Sequence, residues 1–79
     1  MNKKEKYDQA FIENFGIEKD ALNADLAYQS ITAWDSVGHM GLIAVLEDTF
    51  QIEMDMDDIV DFSSYSKGME ILIKYDIKF

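Results

Sequence analysis

The chain has 79 residues, 48% of them apolar and 29% charged, a formal net charge of −9, and neither cysteine nor proline. A chain of this length buries only about 60% of the surface its unfolded form exposes, which leaves little room for a deep catalytic pocket. The missing thiols exclude disulfides, thiolate zinc sites and a cysteine nucleophile, the acidity excludes nucleic acid as a partner, and no apolar run has the length of a transmembrane helix.

The expectation is one domain over residues 1–79, built from helices that no proline interrupts. The first helix is predicted over residues 3–15. Asn2 and Glu5 have the spacing of a capping box, and Tyr7, Phe11 and Phe15 recur every four residues with Ala10 beside them, which gives one apolar face. Gly16 follows as a residue suited to a left-handed helix end. The N-terminus carries the basic residues Lys3, Lys4 and Lys6 but no apolar core follows them, so it does not read as a secretory signal. Absence of cysteine suits a reducing cytoplasm.

Residues 17–35 show no sustained period and are predicted as a long loop, pinned to the core by Ile17, Leu22, Leu26, Tyr28 and Ile31. A second helix is predicted from Asp35–Ser36 to near Phe50. Its uncharged run Met-Gly-Leu-Ile-Ala-Val-Leu, residues 40–46, marks it as central and mostly buried. A short third helix is expected around residues 57–61, anchored by Ile59 and Phe62. A fourth runs from Ser66 as N-cap to Tyr75, with Met69, Leu72 and Ile73 as its stripe. The fold class is therefore all-α: a small irregular four-helix bundle of three main helices and one short one, with a long first loop.

The charge is segregated. No lysine lies in residues 20–66, and that span carries Asp20, Asp25, Asp35, Glu47, Asp48, Glu53, Asp55, Asp57, Asp58 and Asp61. Such a surface repels nucleic acid and attracts a basic protein. It does not make a calcium loop. An EF-hand frame starting at Glu53 meets Asp58 and Ser64 where glycine and glutamate are required, and one starting at Asp55 meets Val60 and Ser66. No metal site is expected.

The stretch AWDSVGHM, residues 33–40, raises the chemical question. Ser36 and His39 are three apart on one helical face, but a hydrolase also needs an orienting acid, oxyanion donors and a nucleophile elbow. The sequence W-D-S-V-G lacks the first glycine of that elbow, and an all-helical chain offers no strand for it. No enzymatic activity is expected. Taken alone, Asp35 and Ser36 suffice to cap a helix.

From Asp35 onward the pattern D-S-V-x-x-x-x-L-I-x-x-L-E-D-x-F resembles the acyl carrier protein family, whose signature is Asp-Ser-Leu at the start of its second helix. The likeness continues through the acidic residues 54–58 to Phe62, Met69 and Leu72. The resemblance implies that Ser36 is the attachment point of a 4′-phosphopantetheine arm transferred from coenzyme A. It implies that Asp35 caps the helix, with or without a further role toward the modifying enzyme. It also implies that Glu47, Asp48, Asp55, Asp57 and Asp58 form an acidic docking face, with Val37 and Met40 as an apolar spot beside the arm. The implied function is a monomeric, cytoplasmic carrier of acyl or aminoacyl thioesters. Its implied partners are a phosphopantetheinyl transferase, an acyl- or aminoacyl-loading ligase and a downstream acyltransferase or synthase. The alternative is an unmodified acidic interaction module that keeps the carrier fold.

The chain departs from the fatty-acid pattern before and after the serine. Ile31, Thr32, Ala33 and Trp34 stand where that type has Asp-Leu-Gly-x. Gly41 replaces a common acid, and Gly38 and His39 are also unlike it. The stretch is more similar to specialised standalone carriers of polysaccharide, secondary-metabolite or aminoacyl-transfer pathways. Trp34 is expected to pack the loop onto the bundle and His39 to face solvent. Gly38 and Gly41 share a face that admits either a partner or a neighbouring helix.

Overall fold

The structure is a computed structural model describing residues 1–79. It contains helices α1 (Lys3–Phe15), α2 (Ser36–Phe50), α3 (Met56–Asp61) and α4 (Tyr65–Ile73), with a 3₁₀ turn at Lys19–Ala21 and no strand. The all-α four-helix architecture expected from the sequence is the one observed.

Helix α1 forms where local signals place it. The Asn2 side chain accepts the Glu5 N–H at 2.8 Å, and the Glu5 carboxylate accepts the Asn2 N–H at 3.3 Å, a closed capping box. Gly16 ends the helix at φ 64°, with its N–H donating to the Ile12 carbonyl. Tyr7, Ala10, Phe11 and Phe15 are buried. A polar knot accompanies them. Asp8 is buried and accepts from Lys4 at 2.8 Å and from the Tyr65 hydroxyl, while Tyr7 donates to the Tyr65 carbonyl at 2.6 Å. Burial pushes the Tyr7 phenol well above its ordinary value.

Helix α2 begins at Ser36 behind Asp35 and ends at Phe50, as expected, but it is less enclosed than its uncharged run suggests. Leu42, Ile43 and Leu46 are buried, whereas Val37, Met40 and Val45 are exposed. Gly38 and Gly41 face the rest of the bundle. A Cβ on Gly38 would lie 1.9 Å from the Ala33 carbonyl oxygen, and one on Gly41 would lie 2.8 Å from Asn14 Oδ1. The two glycines thus let the loop and α1 approach α2, and Asn14 Nδ2 donates to the Gly38 carbonyl at 2.9 Å. The stripe serves a neighbouring helix.

Two expectations about ends are corrected. Helix α4 is capped by Ser64, not Ser66. The Ser64 hydroxyl accepts the Lys67 N–H at 2.9 Å, which lets Tyr65 enter the first turn as a buried residue. The helix stops at Ile73, before Tyr75, in a turn that places Asp76 at φ 65°. The long loop is pinned by Leu26 and by an antiparallel bridge between Ala27 and Ser64, in which Tyr28 N–H donates to the Ser63 carbonyl and Tyr65 N–H to that of Leu26. Tyr28, expected as a core anchor, is instead exposed and points its hydroxyl toward Ser36.

Candidate functional site

The bridge that ties the loop to α4 also delivers residues 33–35 to the start of α2. Asp35 takes an extended conformation (φ −104°, ψ −168°), and its Oδ1 accepts the Gly38 N–H at 2.8 Å. The N–H groups of Ser36 and Val37, one and two residues into the helix, lack intrahelical acceptors and point with the helix dipole toward solvent. Ser36 is exposed there, and its hydroxyl shares a hydrogen bond of 3.2 Å with the Tyr28 hydroxyl. Val37 is 82% exposed and Met40 52%.

Trp34 is fully buried, as expected for a residue that packs the loop. His39 does not face solvent as expected. It is half-buried, its Nδ1 accepts from Trp34 Nε1–H at 2.9 Å, and its Nε2 lies 2.8 Å from the Ile59 carbonyl. Because Nδ1 is the acceptor, the ring proton sits on Nε2 and donates to Ile59. Both ring nitrogens are engaged away from Ser36, so His39 is not a base for that hydroxyl.

A cleft of about 290 Å³ opens beside Ser36 between α2 and α3. Tyr28, Ser36 and Ser63 give it a polar rim, Met40, Met56 and Val60 form its outer apolar walls, and His39, Ile59 and Phe62 lie deeper. An anionic group fits the mouth of this cleft, because the free N–H groups and dipole of a fifteen-residue helix converge there.

The acidic positions divide by what they touch. Asp48, Asp55 and Asp57 are exposed. Glu47 is half-buried and accepts the Met54 N–H at 2.9 Å, so it braces the turn after α2. Asp58 was expected on the exposed docking face; that expectation is corrected. It is buried, and its carboxylate is held by Lys74 Nζ at 2.5 Å and by the Tyr75 hydroxyl at 2.6 Å. Lys74, then Tyr75, holds the Asp58 carboxyl below its ordinary range, and Asp58 in turn raises Lys74. Glu47 and Asp48 also stand apart from Ser36: at 1.5 Å per residue they are about 17 Å along α2. The sequence reading missed Tyr28 as the neighbour of Ser36 and His39 as a bridge between helices. Both are contacts between segments, and no local pattern signals them. No three of the chain's acids and its histidine converge as metal ligands would.

The chain is a small helical bundle that displays the exposed Ser36 hydroxyl at the capped N-terminus of α2. The chain is 32% identical over 60 residues to an acyl carrier protein of Lactobacillus johnsonii, a match covering 76% of this chain and 75% of that protein. The chain belongs to the acyl carrier protein family. No family model matches it, and no solved structure matches it significantly. No helix is long and apolar enough to cross a membrane.

Proposed function

We propose that Ser36 bears a 4′-phosphopantetheine arm and that the chain shuttles acyl or aminoacyl thioesters in a specialised biosynthetic pathway of the cytoplasm. The observation that carries this reading is the exposed Ser36 hydroxyl at the capped start of α2, unaccompanied by a base. In the attachment step Ser36 Oγ attacks the pantetheine-bearing phosphorus of coenzyme A. An Oγ–P bond forms, the diphosphate P–O bond breaks, 3′,5′-ADP leaves, and the hydroxyl proton passes to a base on the transferase. The Ser36 and Val37 N–H groups favour the resulting phosphodiester, and Asp35 keeps the first turn wound by holding Gly38. The bound arm supplies a terminal thiol, which this cysteine-free chain lacks.

Val37 and Met40 form the apolar spot a transferase or loading ligase meets beside Ser36. Asp48, Asp55 and Asp57, with Glu47 at the rim, supply the charge that steers a basic partner. The specialised assignment rests on Gly38, His39 and Gly41, which make the first turns of α2 uncharged. Incubation with coenzyme A and a broad-specificity phosphopantetheinyl transferase tests the reading. The intact mass should rise by one arm in the wild type and stay constant in Ser36→Ala. A wild type left unmodified by several transferases would favour an unmodified interaction module.

A further inference from the structure

The cleft beside Ser36 has a floor, and the floor is hydrogen-bonded. His39 and Phe62 meet with ring centroids 6.0 Å apart. Trp34 lies behind both, edge to edge and near-coplanar with His39 at 6.2 Å and 17°, and 6.5 Å from Phe62. Behind Trp34 come Phe11 at 5.6 Å and Phe15 at 5.2 Å. Trp34 and Phe11 are fully buried, so packed aromatic rings lie beneath the cleft. The seam between α2 and α3 is itself spanned by the His39 Nε2–H bond to the Ile59 carbonyl, and the same ring is held from behind by Trp34 Nε1–H. An apolar chain entering the core at this seam must displace the His39 ring. That leaves the fully buried Trp34 N–H without a partner, a costly outcome, and breaks the bond to the half-buried Ile59 carbonyl.

We propose that His39, clamped between Trp34 and Ile59, bars the α2–α3 seam. A load carried at Ser36 then rests in the open cleft among Met40, Met56 and Val60 instead of entering the core. The load class this selects is a short or polar acyl or aminoacyl group, not a long saturated chain. The inference rests on the carrier reading of Ser36. The cleft's volume of about 290 Å³ falls just below the ~300–1,000 Å³ of small-molecule sites. Its walls are open: Met56 is 69% and Val60 71% exposed. A long alkyl chain lying there stays in contact with water and gains little from burial, whereas a short or polar load loses little by the same exposure. His39 and Trp34 are thereby specificity-determining residues.

The test loads the arm-bearing protein with acetyl, hexanoyl and dodecanoyl groups and follows backbone amides by two-dimensional NMR. Attachment of the arm is first confirmed by mass. In the wild type, the amides of Met40, Met56 and Val60 should shift with the load, while those of Ile43, Leu46 and Leu72, buried and away from the cleft, stay where the acetyl form has them. The melting temperature should be the same for all three loads. In His39→Ala, the Ile43, Leu46 and Leu72 shifts should grow with chain length and the melting temperature should rise from acetyl to dodecanoyl. If that variant does not fold, Trp34→Phe, which removes the N–H and keeps an aromatic ring, takes its place with the same expectation. Wild-type core shifts that grow with chain length overturn this inference alone. So does a bridge variant that stays as closed as the wild type. Failure to attach the arm overturns the carrier reading and this inference with it.

Discussion

Trp34 Nε1–H donates to His39 Nδ1 over 2.9 Å, and this bond sets the tautomer with which His39 reaches the Ile59 carbonyl at 2.8 Å. One imidazole thus joins the loop before α2 to the short helix α3. Truncation to His39→Ala leaves a buried indole N–H and a carbonyl unpaired. The expected cost is about 1–3 kcal/mol of unfolding free energy, read as a lower urea midpoint. A midpoint within error of the wild type would show that the bridge does not hold α3.

Gly68 sits where α4 crosses the core. A Cβ there would lie 2.2 Å from Phe62 Cζ and 2.3 Å from the Tyr7 hydroxyl, both on fully buried side chains. Gly68→Ala improves helix propensity by about 1 kcal/mol, but overpacking a core position costs about 1–3 kcal/mol, and here two locked rings must both move. The variant should therefore melt below the wild type, by about 4–8 °C for each kcal/mol of net loss. A melting temperature at or above that of the wild type would mean that Phe62 and Tyr7 yield freely.

Asp58 gives the protein a defined acid response. Its folded carboxyl is depressed by Lys74 and then Tyr75, so its contribution is fully present above the ordinary value of 3.8 and is lost as pH falls through the depressed folded value. Lys74 is mostly exposed, which keeps the effect modest. Urea midpoints at neutral pH and at about pH 3 should show a smaller acid loss in Asp58→Asn than in the wild type. Equal losses would assign the acid sensitivity to other groups.

Docking separates into an apolar and a charged part. Val37 and Met40 are exposed, so Val37→Ala with Met40→Ala should leave stability within about 0.5 kcal/mol while slowing modification of Ser36. Reversal of Glu47 does not isolate charge, because its carboxylate holds the Met54 N–H. Asp48→Lys with Asp57→Lys does, as both side chains are free at the surface. That pair should reduce the modification rate at low salt. The difference from wild type should shrink past roughly 0.15 M salt, where the screening length is about 8 Å. A charge-reversed protein modified at the wild-type rate at low salt would remove the acids from the docking surface.

What the sequence revealed was what neighbouring residues decide among themselves. The Asn2–Glu5 box, the Gly16 stop and the Asp35 cap involve partners at most four residues apart, and each is found where the pattern put it. Ser66, expected as the cap of α4, gives way to Ser64, because either serine caps a helix in isolation. The bridge from Ala27 to Ser64 and the burial of Tyr65 decide it. Asp58 reads as one more acid in an acidic run until Lys74 and Tyr75 are brought to it from the turn after α4. His39 reads as a lone polar residue on a helix until Ile59, twenty positions on, supplies the second partner.

The central claim concerns Ser36, and the composition of the chain makes it directly measurable. Trypsin cleaves after Lys19 and Lys67 with no lysine or arginine between them, so one peptide, residues 20–67, carries the whole motif. Fragmentation of that peptide from protein isolated from its native cell should find one phosphopantetheine arm, localised to Ser36 rather than to Ser30, Ser63, Ser64 or Ser66. A native peptide found only unmodified at Ser36, or carrying the arm on another serine, would contradict the account.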